Sequence, residues 1–268
     1  RGVIPRDYIT EWRQSAPWVD DAQIEQDLVI SRALVELFSN PTIAKALAFR
    51  GGTALYKLHV TPALRYSEDI DLVQVRAESA GPLMDALRAV LDPWLGAPRW
   101  KQSEGRVTFV YRFSSEATPP LPMRLKVEIN TREHFAVHGF IEHPFEVQSR
   151  WFRGSCRIQT YTLDELLATK LRALYQRRKG RDLFDLEAGL NQPGVDPARI
   201  ADAFLRYMEH GGHRISRAQF QQNLDAKLAD ATFMADMSPL LADGQRWDPI
   251  RAATRVSGEL ILRLPGSD

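Results

Sequence analysis

The chain has 268 residues, of which 44% are hydrophobic and 26% are charged, so it is long enough for two packed units of ordinary globular composition. Its net charge is +1, and a nucleic-acid-binding surface would therefore have to come from local clustering instead of bulk charge. The single cysteine, Cys156, excludes an internal disulfide, and the sequence lacks both an apolar run of ~20 residues and an N-terminal secretory signal, so we expect a cytoplasmic protein with no membrane segment.

Helix and strand patterns alternate through the first part of the chain. Residues 20–39 carry apolar side chains at helical spacing, and Asn40-Pro41 ends that helix. A short strand over 46–50, a Gly-Gly-Thr turn and a brief helix over 54–58 follow. The remaining predicted elements are a strand at 69–75, a helix at 82–95, strands at 106–113 and 123–130, and shorter strands near 145–148 and 156–160.

The pattern becomes helical from Thr162 onwards. Thr162, with Glu165 three residues later, predicts a capping box at the start of a helix that Gly180 ends. Further helices are predicted over 181–190, 196–209, 216–230 and 247–263. We therefore predict an α+β fold, with a mixed sheet and an N-terminal helix in a domain of residues 1–160 and a helical C-terminal domain in residues 161–268.

The first candidate site is the alternating segment Asp69-Ile70-Asp71-Leu72. Alternate side chains of a strand point to the same face, so both carboxylates project together, ~7 Å apart. Two such carboxylates repel each other unless a positive charge lies between them, and a divalent cation such as Mg²⁺ prefers carboxylate oxygens. The alternative is a solvated strand face, because Asp-x-Asp also occurs by chance.

A second alternating segment, residues 125–130, presents Lys126, Glu128 and Asn130 on one face. If this strand neighbours the first, Glu128 completes a cluster of three carboxylates. Such a cluster could hold two metal ions ~4 Å apart, an arrangement that suits in-line phosphoryl transfer. The alternative for Glu128 is a surface ion pair with Lys126 or Arg124.

The turn Gly51-Gly52-Thr53 precedes the carboxylate pair. Glycines let the backbone approach a ligand closely, and the free N–H groups at a helix start favour an anion. Thr53 can offer its hydroxyl to a phosphate or cap the helix, and Lys57, one helical turn later, can reach a triphosphate. The alternative is an ordinary strand–helix turn.

Two separated motifs resemble the AbiEii/AbiGii toxin family of DNA polymerase β-like nucleotidyltransferases. The first is FRGGTALYKL followed by LRYSEDIDLVQV, in which Ser67 begins a Ser-x-Asp-x-Asp element. The second is KLRALYQRRKGRDLFD, residues 170–185, which is similar to the family's K-x-x-A-x-x-x-R-x-x-x-R-D-x-x-D segment. The motifs and the strands between them cover residues 45–190, and no family motif is found beyond 190.

The resemblance implies a polymerase β-like sheet and a Mg²⁺-dependent enzyme, with Mn²⁺ as a possible substitute. Such an enzyme moves an NMP from an NTP to an acceptor, expected to be tRNA or another RNA. It would be the toxin of a bacterial toxin–antitoxin or phage-defence system, with a cognate antitoxin as its partner. The residues that we assign to catalysis are Asp69, Asp71, Glu128, Lys170 and Asp185, of which the first three are also the predicted metal ligands.

The residues that we assign to nucleotide binding are Gly51, Gly52, Thr53, Lys57, Arg65, Ser67, Arg181 and Asp182. Arg65 and Tyr66, just before the acidic motif, are candidates to clamp a phosphate and to stack on a base. By resemblance, Lys170 binds triphosphate oxygens, while Asp185 positions Lys170 or Arg181 or contacts the base. The sequence does not decide between Asp182 and Asp185 as the essential acid.

Several alternatives remain open from the residues alone. The basic cluster within residues 172–181 is either an RNA-backbone contact or a solvated helix face. The chain could be a non-catalytic RNA-binding module, or it could transfer the nucleotide to a protein or small-molecule hydroxyl. A zinc site at His134, His138 and His143 is disfavoured because their spacing is loose. The sequence does not reveal which NTP is used.

Overall fold

The computed structural model describes residues 4–266, so the outermost residues of both predicted domains, 1–3 and 267–268, lie outside the described part. The chain divides into two compact units. The first unit contains the residues up to Ala54, Arg65–Phe135 and Phe140–Thr160. The second unit contains Leu55–Leu64, Ala136–Gly139 and the residues from Tyr161 onwards.

The first unit is built on a seven-stranded mixed sheet in the order β3-β4-β5-β2-β1-β7-β6. Its strands are β1 (Leu47–Arg50), β2 (Asp69–Gln74), β3 (Arg99–Ser103), β4 (Arg106–Ser114), β5 (Pro122–Asn130), β6 (Phe140–Gln148) and β7 (Arg153–Tyr161). Its helices are α1 (Arg6–Trp12), α2 (Asp21–Ser39), α3 (Pro41–Ala46), the short α4 (Gly51–Ala54) and α5 (Gly81–Leu95). The α+β class with a mixed sheet is the predicted one.

Alternation of side chains decides which face of the sheet is buried. In β5, Leu125, Val127 and Ile129 are buried, and the residues between them are exposed or half-buried. β4 follows the same rule with Val107, Phe109 and Tyr111. Helices α2 and α5 contact these strands, so the apolar face lies in the core and the opposite face carries the polar side chains.

Four elements were not predicted from the sequence, namely α1, α3, β3 and, in the second unit, α10 (Ala231–Ala235). Asn40-Pro41 does end α2, but the Asn40 side chain also accepts from the N–H groups of Thr42 and Ile43, and Pro41 takes the first position of α3. All five residues of β3 are exposed at the sheet edge, so this strand has no apolar alternation to detect.

The second unit is helical. It contains a π-helical turn (Leu55–His59), α6 (Leu163–Gln176), α7 (Gly180–Leu190), α8 (Pro197–His210), α9 (Arg217–Leu228), α10 (Ala231–Ala235), α11 (Pro249–Glu259) and a 3₁₀ turn (Ile261–Arg263). The Thr162 side chain caps α6 by accepting from the N–H of Glu165, but the Glu165 carboxylate does not bond to the backbone N–H of Thr162, so the predicted capping box is incomplete. The Glu165 carboxylate accepts instead from the N–H groups of Val137 and His138 and from the Tyr207 hydroxyl.

The predicted domain boundary at residue 160 agrees with the start of the helical unit but omits two short segments. Leu55, Tyr56 and Val60 are buried in the same apolar cluster as the side chains of α6 and α7. Val137 and His138 are tied to Glu165 of α6 by hydrogen bonds. The helical unit therefore includes residues 55–64 and 136–139. Within residues 4–266, none of the helices has both the length and the apolar character that crossing a bilayer requires.

Candidate functional site

Asp69 and Asp71 lie on the same face of β2, as the alternation predicts. β2 and β5 are neighbouring parallel strands, and their register pairs Asp71 with Glu128 and Asp69 with Lys126. The condition set by the sequence, that the two alternating strands lie side by side, is met. Three carboxylates therefore project from adjacent positions of the first unit's sheet.

Lys126 lies among these carboxylates. Its Nζ is 3.1 Å from Asp69 Oδ2 and 3.6 Å from Glu128 Oε2. Glu128 has a second cationic neighbour, since Arg106 Nε is 3.7 Å from its Oε1. The surface ion pair considered for Glu128 thus forms with Lys126 and Arg106 and does not involve Arg124. Within the described range 4–266, no three His, Cys, Asp or Glu side chains are arranged as a ready metal-ligand group.

The electrostatic environment of Asp71 opposes its ionisation. Burial is the largest cause of its raised pKa, and the neighbouring Asp69 carboxylate is the next. Lys126 and Arg50 lower the pKa of Asp71 and Glu128 raises it, and the net shift is upward. A cation bound beside Asp71 would therefore favour its ionised form.

The glycine turn packs directly against this cluster. Gly51 has a positive φ of 87°, and a Cβ placed on it would lie 2.6 Å from Asp71 Oδ2. A Cβ on Gly52 would lie 2.2 Å from Arg65 Nη2. Gly51 therefore requires glycine for its backbone conformation, and a side chain at Gly52 would require the Arg65 guanidinium to move. The close approach of the Gly51 backbone to Asp71 leaves space that a phosphate could use, and the donor chemistry of Asp69, Asp71 and Glu128 suits a divalent cation once Lys126 moves away.

Thr53, Ser67 and Arg65 serve the turn itself. Thr53 is 2% exposed, and its hydroxyl donates to Asp69 O at 2.6 Å and lies 2.8 Å from Ser67 Oγ. Arg65 is also 2% exposed, and its Nη1 donates to Tyr66 O at 2.9 Å. These groups hold the glycine turn against β2, which favours a positioning role over the predicted phosphate contacts of Thr53, Arg65 and Ser67.

Tyr66 does not stack on a base. Its ring is buried and packs edge-on against Trp18, with 5.9 Å between the ring centroids. Burial also raises the pKa of its hydroxyl well above the ordinary range. The base-stacking prediction is wrong because Tyr66 is part of the core.

The second motif forms a buried ionic cluster in the helical unit. Lys170 Nζ lies 2.8 Å from Asp185 Oδ2 and 3.6 Å from Asp182 Oδ1, and both carboxylates are fully buried. The Tyr56 hydroxyl donates to Asp185 Oδ1 at 2.8 Å. Of the three roles considered for Asp185, the contact with Lys170 fits the positioning of that lysine, and the role stays a prediction.

Asp182 is paired mainly with Arg177, which donates two hydrogen bonds of 2.7 Å to its carboxylate. Arg178 and Arg181 also have acidic neighbours, Asp230 and Asp236 respectively. Arg172 lies over the ring of Tyr207, 4.8 Å from its centroid. Much of the charge of the cluster at 172–181 is therefore offset within the fold, which weakens its interpretation as an RNA-backbone contact.

Lys57 and three histidines remain to be placed. Lys57 is half-buried in the π-helical turn, and its role stays a prediction. His134, His138 and His143 each lie within hydrogen-bond distance of a backbone carbonyl. These contacts, in the part of the chain that the structure describes, give no support to a zinc site.

Sequence reasoning assigned no role in the site to Lys126, Arg50 or Tyr56. Arg50 is the register partner of Asp71 across β1 and β2. A signal existed for Lys126 and Arg50, since the alternation of each strand places them on the face of the carboxylates. No local signal exists for Tyr56, because its bond to Asp185 spans 129 positions.

Comparisons with known proteins agree with this geometry. Residues 32–253 match the family described as nucleotidyl transferase AbiEii toxin, type IV TA system, which extends well beyond the motifs at 45–190. MenT4, a nucleotidyltransferase toxin from Mycobacterium tuberculosis, is 15% identical with a TM-score of 0.61, over 97% of this chain and 89% of that one. JHP933 from Helicobacter pylori is 17% identical with a TM-score of 0.55, over 91% and 92%. At these identities the structures show a shared fold. No curated protein sequence matches the chain.

Proposed function

We propose that this chain, which belongs to the AbiEii family of nucleotidyltransferase toxins of type IV toxin–antitoxin systems, transfers an NMP from an NTP to a hydroxyl acceptor at Asp69 and Asp71. The observation that carries the proposal is the register of β2 and β5, which sets Glu128 beside Asp71. A glycine turn that leaves no room for a side chain lies against the same carboxylate. A strand face with a purely structural role would need neither this strand register nor this glycine turn.

In the proposed reaction the acceptor oxygen attacks the α-phosphorus of the NTP. The bond from that phosphorus to the α,β-bridging oxygen breaks, and pyrophosphate leaves. Asp69, Asp71 and Glu128 would hold Mg²⁺ or Mn²⁺, which when bound neutralises phosphate charge and lowers the pKa of the acceptor hydroxyl. Glu128 is proposed to accept the proton that the acceptor loses.

Lys126 would release Asp69 when the site is loaded, since its ammonium lies against that carboxylate. Its charge then remains next to Glu128, where it can face the negative charge that develops on the phosphate oxygens. The backbone of Gly51 and Gly52 supplies the phosphate cradle. Lys170, held by Asp185 and Tyr56, is proposed to bind triphosphate oxygens, on the strength of the second motif.

The proposed acceptor is RNA, with tRNA first among the candidates, and the proposed partner is the antitoxin of the same toxin–antitoxin pair. Support for the antitoxin comes from the family description, and support for tRNA comes from the motif resemblance. A protein or small-molecule hydroxyl is the alternative acceptor. A non-catalytic RNA-binding module has no need for a glycine turn packed against Asp71 with two further carboxylates beside it.

The experiment incubates the protein with Mg²⁺, total RNA and each α-labelled NTP in turn, then separates RNA, protein and small molecules. We expect label in the RNA with at least one NTP, and no label when EDTA is added or when the NTP carries its label on the γ-phosphate. Label on protein or on a small molecule would show that this molecule, and not RNA, is the acceptor. No label in any fraction, with RNA binding that EDTA leaves unchanged, would support the binding module and contradict the enzyme.

A further inference from the structure

The carboxylate face of the sheet continues beyond β5 to the sheet edge. Residues paired across neighbouring strands project to the same face. The register pairs Glu128 of β5 with Thr108 of β4, and Thr108 with Lys101 of β3. Lys101 therefore lies on the same face as Asp71, three strands away and ~14 Å across the sheet at ~4.8 Å per strand.

This face is strongly basic from β5 to β3. Its exposed basic side chains, named here the basic face, are Arg99, Lys101, Arg106, Arg112 and Arg124. Among the strand residues of β3, β4 and β5 on this side, the one acid within the described part of the chain is Glu128. The chain as a whole has a net charge of +1, so the basic face is the kind of local clustering that a nucleic-acid surface requires.

The basic side chains are also poorly neutralised. Only Arg106 has an acidic neighbour, Glu128, and four of the five, Arg99, Lys101, Arg112 and Arg124, form no ion pair with any residue of 4–266. Arg112 and Arg124 lie directly opposite each other in β4 and β5, where like charges disfavour strand pairing. The cluster at 172–181 differs, since three of its arginines have acidic neighbours.

We propose that the basic face binds the phosphate backbone of the acceptor RNA and leads the strand to Asp69 and Asp71. This inference rests on the proposed function, because it assigns a binding surface to that reaction's acceptor. A patch that extends ~14 Å from the carboxylates offers several cations to several phosphates, which a single small-molecule acceptor does not need. Contacts to phosphates position a strand without reading its bases.

The test measures binding of a fluorescein-labelled tRNA by anisotropy over a series of salt concentrations. Two double variants, Arg99→Ala with Lys101→Ala and Arg112→Ala with Arg124→Ala, each remove two exposed charges. The matched control is Lys45→Ala with Arg153→Ala, which removes one Lys and one Arg, both exposed and outside the basic face. Each face variant should bind more weakly, and its slope of log K against log[salt] should be shallower by about 1.4, or ~0.7 per lost single-strand phosphate contact. The control should keep the parent's slope.

Failure of this inference is distinguishable from failure of the proposed function. Equal affinities and slopes for the parent, the face variants and the control would overturn the inference, even if labelled NMP still enters RNA. Absence of tRNA binding by the parent at low salt would also overturn the inference. An acidic protein surface would then be the partner that fits the positive charge of the basic face. Shallower slopes in the face variants would support the inference even if no NTP transferred label, and the proposed function alone would then fail. Asp71→Asn should keep the tRNA affinity while losing transfer.

Discussion

Asp71 combines the main features of the candidate site in one side chain. Its carboxylate is the register partner of Glu128 on one side and of Arg50 on the other, and it lies against the backbone of Gly51. Burial and the Asp69 carboxylate raise its pKa. Residues whose ionisation is opposed by the fold in this way are concentrated at functional sites, since a ligand or metal supplies the missing compensation.

Replacing Asp71 should therefore stabilise the protein without metal. A raised pKa means that the protonated acid favours folding, and that this contribution is lost as pH rises through the folded-state value. At pH 8 in EDTA, we expect Asp71→Asn to raise the free energy of unfolding by on the order of 1 kcal/mol, or about 2–4 °C in Tm. The difference should shrink as pH falls toward the ordinary range of an Asp carboxyl.

Thermal unfolding followed by circular dichroism measures this effect, with Asp85→Asn as the control because Asp85 is an exposed acid of the same unit. The control should match the parent at both pH values. An Asp71→Asn protein less stable than the parent at pH 8 would show that the carboxylate contributes to folding, contrary to the electrostatic account.

Helix α2 contains a buried acid, Glu25, that lies outside the candidate site. Glu25 is 1% exposed, its Oε2 accepts the N–H of Glu116 at 3.1 Å, and its Oε1 has no hydrogen-bond partner among residues 4–266. Burial raises the pKa of Glu25 to about 7. The packing of α2 against the turn that follows β4 therefore depends on the protonation of Glu25.

We predict that Glu25→Gln removes a pH dependence of stability. The contribution of protonated Glu25 is complete below its ordinary pKa of 4.5 and is lost as pH rises through about 7. Between pH 4.5 and pH 8, urea unfolding should show the parent losing ~1–3 kcal/mol relative to Glu25→Gln. The exposed Glu78→Gln should follow the parent. Parallel pH profiles for the parent and Glu25→Gln would contradict the prediction.

Elements with regular alternation were those that the sequence could predict. β4 and β5 alternate over most of their length and β2 alternates over Asp69–Leu72, so both their existence and the shared face of Asp69 and Asp71 follow from the residues. β3 was missed because it is exposed on both faces at the edge. The ion pair of Lys126 with Glu128 was an alternative that the sequence left open, whereas its pairing with Asp69 depends on a strand register that the whole sheet sets.

On the scale of the whole molecule, the two units alternate along the sequence. Residues 55–64 and 136–139 interrupt the sheet unit and belong to the helical one. A linear reading of helix and strand patterns places one boundary near 160 because ten residues and four residues are too short to show a domain of their own. Leu55, Tyr56 and Val60 nevertheless are part of the apolar core of the helical unit.

A fragment cut at that boundary should therefore fail to fold. Residues 161–268 alone lose the buried side chains of Leu55, Tyr56 and Val60, and each such side chain contributes about 1.5–3 kcal/mol. Their sum is comparable with the ~5–15 kcal/mol that stabilises a domain. Far-UV circular dichroism in urea should show no cooperative transition for the fragment, while the full chain gives one. A cooperative transition at the full chain's midpoint would mean that residues 55–64 are dispensable.

Asp69 and Asp71 are proposed to carry out nucleotidyl transfer, and the initial rate at which α-labelled NMP enters RNA in Mg²⁺ tests this role most directly. The parent, Asp69→Asn, Asp71→Asn and the exposed-acid control Asp85→Asn are compared at equal concentration, with folding verified by circular dichroism. We predict that the parent and the control transfer label at the same rate and that each active-site variant loses at least ~10³-fold, as expected when groups that act only in the transition state are removed. Transfer by Asp69→Asn or Asp71→Asn at the parent's rate would contradict the account.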